Sequence, residues 1–179
     1  RSLSQWHERW AFCGASAAVM HGLDCSYRQL HPIHVAVGRN SRPRNQRYVR
    51  FHVLDDAETV AVDGARVTSI LRTLVDCAAM MPRRYAMAPI DSALRQGKTT
   101  VEQMLEYVDA IPMLRDRERI RAVLAQGDGR VENGGESECR AVLDELGFPV
   151  HRVQVEFPCL SHPGRVHRVD FSGNEMTAP

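Results

Sequence analysis

The sequence is nearly without lysine: Lys98 stands alone among 23 basic residues, so the other 22 are arginine. No stretch approaches the ~18 consecutive apolar residues a membrane-spanning helix needs. The five cysteines (Cys13, Cys25, Cys77, Cys139 and Cys159) form no CxxC pair, which excludes a disulfide framework and a zinc ribbon and points to reduced thiols in the cytoplasm. There is no internal repeat and no low-complexity tract. Gly134-Gly135 lacks the lysine and the preceding strand of a phosphate-binding loop, and no HExxH is present. What remains is ordinary: 44% apolar and 25% charged residues over 179 positions. That excludes disorder and fibrous classes and suits one domain, or one domain and part of another. The chain opens on Arg1 with neither a methionine nor a signal peptide, which reads as an incomplete N-terminus.

The net charge of +1 hides a gradient: +6 over residues 1–54, −2 over 55–132 and −3 over 133–179. Five arginines (Arg39, Arg42, Arg44, Arg47 and Arg50) fall within twelve residues, interleaved with Asn40, Ser41, Asn45 and Gln46. A hairpin-like projection of this kind suits a nucleic-acid backbone, because the guanidinium fork matches phosphate geometry and Tyr48 can stack. The competing reading is a solvated loop in a GC-rich genome's arginine-biased protein.

Periodicity lays out an α+β chain. Ser16 to His21 reads as a short helix closed by Gly22. Ile33–Val37, Tyr48–Leu54 and Thr59–Val62 read as strands. Asp63-Gly64 is a strong hairpin signal leading into Ala65–Val67. Thr68 is placed to cap a helix running to Met81, and Pro82 stops it. Helices are expected over Ala88–Gln96, Thr100–Ala110 and Pro112–Gln126. Gly127 to Gly135 has linker composition. Beyond it come a helix from Glu136 to Leu146 and strands over Val150–Phe157 and Arg165–Phe171. Strands then helices, followed by helix–strand–strand, imply a small N-terminal sheet with a helical layer and a second, partial unit. The division falls at residues 1–127 and 133–179.

Candidate chemistry is sparse. His31 and His34 fall on opposite faces of a strand, and His162 and His167 flank a Pro-Gly turn. None has metal-ligand spacing, and all read as satisfied or solvated side chains. His21 suits packing or a helix C-terminus. Neither Cys13 nor Cys77 opens a helix, which argues against a thiolate nucleophile. Glu136 begins a helix, where an acidic side chain suits the N-terminus, and Asp170 lies between Val169 and Phe171 at a position that suits the solvent face of an alternating strand.

Ser16-Ala-Ala-Val-Met-His-Gly-Leu23, Val67-Thr-Ser-Ile-Leu-Arg-Thr-Leu-Val-Asp76, Asp91-Ser-Ala-Leu-Arg-Gln-Gly97, Glu136-Ser-Glu-Cys-Arg140, Gln154 and Arg168-Val-Asp-Phe171 occur in an order and spacing that resembles actinobacterial AbiEi-antitoxin-like proteins. Many of these carry a C-terminal domain related to very-short-patch-repair endonucleases, with a restriction-endonuclease-like fold. The resemblance implies an AbiEi-type domain, normally preceded by a winged helix, and then a nuclease-like core. In that core Glu136 and Asp170 would hold Mg or Mn, and Arg140 and Gln154 would frame them. It further implies DNA, and a cognate toxin protein, as partners of a cytoplasmic bacterial protein. Such a protein would cleave DNA when complete, or else act as a non-enzymatic regulator. The third carboxylate of the pattern would lie beyond Glu175, and the chain ends at Pro179, so catalysis is not expected of these residues alone.

Overall fold

A computed structural model describes residues 10–41, 43–54, 57–148, 150 and 152–173. The architecture is α+β: a five-stranded mixed sheet, six α-helices and a separate two-stranded hairpin.

The sheet is built from β1 (Ala11–Phe12), β2 (Ile33–Val37), β3 (Val49–Val53), β4 (Thr59–Val62) and β5 (Ala65–Thr68), in the order β3-β2-β1-β5-β4. Strand β1 was not legible in the sequence: it has two residues, held because Phe12 pairs with Val35 on one side and Val67 on the other. The Asp63-Gly64 signal holds. Both residues have positive φ, 47° and 76°, the combination that gives a two-residue turn the twist of its flanking strands. By contrast, β2 and β3 run parallel, with Ile33 opposite Val49 and Val37 opposite Val53. The arginine-rich segment between them is therefore a return loop along the sheet edge, not the hairpin-like projection expected.

The helices are α1 (Gly14–Met20), α2 (Ile70–Met80), α3 (Arg83–Arg95), α4 (Val101–Ala110), α5 (Arg117–Leu124) and α6 (Gly134–Glu145). Ser69, not Thr68, caps α2: its hydroxyl accepts from the Arg72 N–H. Thr68 is kept in the β4–β5 ladder by Thr59, and its own hydroxyl meets Thr73 Oγ1 at 2.7 Å in the core. Helix α3 begins five residues before the expected Ala88 and carries Pro89 inside it. Eight consecutive buried residues, Ala86 to Ala93, hold this helix, and burial outweighs the one lost N–H. Helix α5 starts at Arg117 and not at Pro112, because Met113 and Asp116 both adopt positive φ and break the first turn. Thr100 and Gln103 form a reciprocal capping box at α4.

The main core is helical. Leu74, Met87, Ile90, Met104, Ile120 and Leu124 are at most 1% exposed and pack together with Ala141 of α6. Val35, Val37 and Val49 form a separate cluster on the sheet with Trp10 and Phe51, whose rings meet edge-on at 4.9 Å. Two acidic groups are buried in the helical layer. Asp76 pairs with Arg72 at 2.9 Å but leaves Oδ2 without a hydrogen bond, and burial pushes its carboxyl up to about 6 despite that arginine. Asp91, on α3, faces α6.

Helix α6 is joined to the core through the polar segment before it. Val131 is fully buried, Arg95 Nη1 donates to the Val131 carbonyl at 2.9 Å, and the Asp128 N–H donates to Asp91 at 2.7 Å. After α6, β6 (Arg152–Pro158) and β7 (Val166–Ser172) form an antiparallel hairpin. Among the described residues no helix is long and apolar enough to cross a membrane.

Candidate functional site

The candidate site lies where the N-terminus of α6 meets this hairpin. Asn133 caps the helix, its Oδ1 accepting from the N–H groups of Gly135 and Glu136 at 2.9 and 3.0 Å. That geometry orients the first turn and presents Glu136 to one side. Glu136 Oε2 accepts from the Glu132 N–H and from Gln154 Nε2, both at 3.0 Å. Its Oε1 accepts from Asn133 Nδ2. Three donors thus fix this carboxylate, with one charge retained and part of its acceptor capacity left.

Gln154 reaches Glu136 from β6, where it adopts a positive φ of 54°. This conformation is costly for a non-glycine residue. It interrupts the ladder between the Val153–Phe171 and Val155–Val169 pairs, and the register places Asp170 across from it. The hairpin is fastened a second time by Arg168 Nη2, 2.8 Å from Glu132 Oε1. Arg168 and Asp170, two apart on β7, share one strand face. Of the expected site residues, Glu136 and Gln154 are thus in direct contact, and Asp170 stands across the hairpin from Gln154. Asp170 is exposed and has no hydrogen bond or ion pair among the described residues. Gln154 Oε1 is buried and also unpartnered.

Two expectations fare differently. Arg140 lies one turn after Glu136, but it is directed into the core. Its Nη2 reaches both oxygens of Asp91, at 3.1 and 2.8 Å, and Nη1 donates to the Gln126 carbonyl. It buttresses the helix that carries Glu136 and does not frame the carboxylate. Glu175 lies outside the described residues, and among the described residues no cluster of three or more His, Cys, Asp or Glu side chains forms a metal cage.

The arginine-rich edge is solvent-facing. Arg39, Arg44, Arg47 and Arg50 are all exposed, and Arg42 lies outside the described residues. The loop is shaped: Asn45 Oδ1 accepts from the Phe51 N–H at 2.9 Å, and Arg47 lies 5.1 Å over the Tyr48 ring. Arg50 belongs to the edge strand β3, level with His34.

Sequence reasoning missed two groupings. His34 Nδ1 and His52 Nε2 lie 2.9 Å apart in nearly parallel rings. Burial lowers both, with Arg50 adding to the effect, and His52 falls to about 4. Strand pairing creates this contact, so no sequence spacing announces it. At the hairpin turn, Cys159 Sγ lies 3.4 Å from Ser161 Oγ and 3.9 Å from His162 Nδ1. Hydrogen bonds, that from Ser161 first, lower its thiol to about 6. The Cys-Leu-Ser-His string was the available signal. Cys13, Cys25 and Cys77 behave as expected of core thiols: burial raises all three, Cys25 to about 12. All five cysteines are free.

Comparison with known proteins adds context to this geometry. Residues 10–126 match the AbiEi antitoxin C-terminal domain family. Two curated relatives, uncharacterized proteins MT2308 and Rv2248 of Mycobacterium tuberculosis strains CDC 1551 and H37Rv, are each 30% identical over 168 residues. The alignment covers 92% of this chain and 59% of each relative, so the chain spans well under two thirds of their length.

Proposed function

Because the chain belongs to the AbiEi antitoxin C-terminal domain family, we propose that it serves a bacterial toxin–antitoxin pair as a cytoplasmic, DNA-associated protein. In this reading the Arg39–Arg50 edge contacts phosphate, and Glu136 and Asp170 hold a divalent cation beside it. The observation that carries it is the Gln154–Glu136 hydrogen bond, made from the β6 position opposite Asp170. In this reading it brings two carboxylates 34 residues apart toward one face.

The donor set fits Mg or Mn: two carboxylates and the orphaned Gln154 Oε1 are hard oxygens. Such an ion, when bound, polarises phosphoryl oxygen and acidifies attacking water. This chain's own contribution is positional. Asn133 and Glu132 hold Glu136 at the helix start, Arg168 seats the hairpin, and Asp170 presents a free carboxylate. In this reading the tail is a nuclease-like segment of a DNA-cleaving protein.

One observation favours a second, non-enzymatic reading. Glu136 already accepts from three N–H donors, which leaves Asp170 as the freer ligand. An antitoxin acting as a regulator would need the arginine edge and a toxin-binding surface but no cleavage. A plasmid assay on the full-length protein with Mg²⁺ or Mn²⁺ separates the two. The nuclease reading expects metal-dependent nicking that Asp170→Ala abolishes. DNA retention without nicking at any metal concentration leaves the regulator.

A further inference from the structure

A cleft of about 490 Å³ opens between the start of α6 and the segment after α1, lined by Asp24, Ser26, Tyr27, Asn133, Gly135 and Glu138 among others. It shares Asn133 with the Glu136 side of the helix start, and its remaining side chains take no part in the reading above. Three features define its chemistry. Glu138 is half-buried and has no hydrogen bond or ion pair among the described residues. Ser26 is 6% exposed, and its hydroxyl is buried with no partner. Asp24 is bonded to Arg95 at 2.7 Å through Oδ2 only, which leaves Oδ1 as an acceptor. These groups await a donor.

The sign of the ligand follows from the charges. The helix N-terminus contributes about half a positive charge, and Asn133 already covers two of its N–H groups. Arg95 offsets Asp24. Among the lining residues Glu138 is the acidic side chain with no ion pair among the described residues, so a cation is favoured over an anion. A planar guanidinium offers several N–H donors to the Glu138 carboxylate and to the acceptors Asp24 Oδ1 and Ser26 Oγ, more than a point-like ammonium directs. At the mouth of the cleft Tyr27 is 74% exposed. One face of Tyr27 already carries a guanidinium, that of Arg28, at 5.4 Å. An exposed tyrosine beside a polar pocket is a common anchor of a protein interface.

We propose that this cleft is the receptor for an arginine side chain presented by a partner protein, with Glu138 as its main ionic contact and Tyr27 as the packing surface.

The test uses N-acetyl-L-arginine amide as probe and N-acetyl-L-citrulline amide as its neutral, nearly isosteric control. Binding is followed by NMR shift changes at residues 24–27 and 133–138. Saturable arginine binding is expected with a dissociation constant of about 1–10 mM, together with at least tenfold weaker citrulline binding. Glu138→Gln should weaken the arginine probe about tenfold while leaving the melting temperature unchanged, because Glu138 has no hydrogen bond or ion pair among the described residues. Ser26→Ala should weaken it without loss of stability, since the lost hydroxyl is unsatisfied. Equal binding of the two probes, no saturable shift, or indifference to Glu138→Gln overturns the assignment. None of these outcomes bears on the DNA or metal reading.

Discussion

Arg140→Ala is expected to destabilise the protein by about 3–5 kcal/mol, the cost of removing one member of a buried ion pair. Asp91 has a fully buried side chain, and Arg140 is 15% exposed. Arg140 reaches both carboxylate oxygens, and the Asp128 N–H supplies another donor. Burial pushes the Asp91 carboxyl above its usual value, and these donors pull it back. With the arginine gone, the acid rises further. A carboxyl raised in the folded state stabilises most below its unfolded pKa and loses that contribution as pH rises through its folded value. The Arg140→Ala deficit should therefore be larger at pH 8 than at pH 5. Urea unfolding at both values measures it, and the double variant Asp91→Ala/Arg140→Ala should cost less than the two single changes added. A deficit below about 1 kcal/mol at pH 8 would mean that α3 and α6 are held by packing alone. The pair has a functional consequence as well, since the helix it anchors carries Asn133 and Glu136 at its start.

Replacing Arg42, Arg44 and Arg47 together by Ala should weaken DNA retention about a hundredfold, on the basis of about 1 kcal/mol for each exposed phosphate contact. The slope of log affinity against log salt should flatten by about 2–3, since each lost contact retains nearly one counterion. Fluorescence anisotropy with a labelled duplex over a salt series gives both numbers. Folding should be unaffected, because Arg44 and Arg47 are exposed and are not part of the core. Unchanged affinity and slope would remove the return loop from the interface.

Local chemistry was legible in the sequence and long-range pairing was not. Asp63-Gly64, Thr100 at the opening of α4 and the Pro82 stop each act within a few residues, so composition announces them. Periodicity likewise placed Ile70, Leu71, Leu74, Val75 and Ala78 on one helical face, of which the last three are buried and the first two half-buried. It does not report what a face meets. Asp91 and Arg140, 49 residues apart, stood in the sequence as two separate polar residues of two separate helices. The parallel pairing of β2 with β3, which turned an expected projection into a return loop, depends on the strand partners and not on the loop's own residues. Thr68 lost the capping role to Ser69 because its strand pairing won over its helix preference. At the candidate site, Glu136, Gln154 and Asp170 were each named from the sequence. The turn of Arg140 toward Asp91 follows only from the packing of α6 on α3, and the positive φ of Gln154 belongs to the break in the β6–β7 ladder.

The account rests on Glu136 and Asp170 sharing one divalent ion, and a Mn²⁺ titration read by electron paramagnetic resonance tests this directly. The free-ion signal is followed for the wild-type protein, Glu136→Gln and Asp170→Asn. One saturable site is expected in the wild type, weakened at least about tenfold by either substitution, with Mg²⁺ competing for it. Superimposable titrations of all three proteins would contradict the account and leave the two carboxylates as structural neighbours.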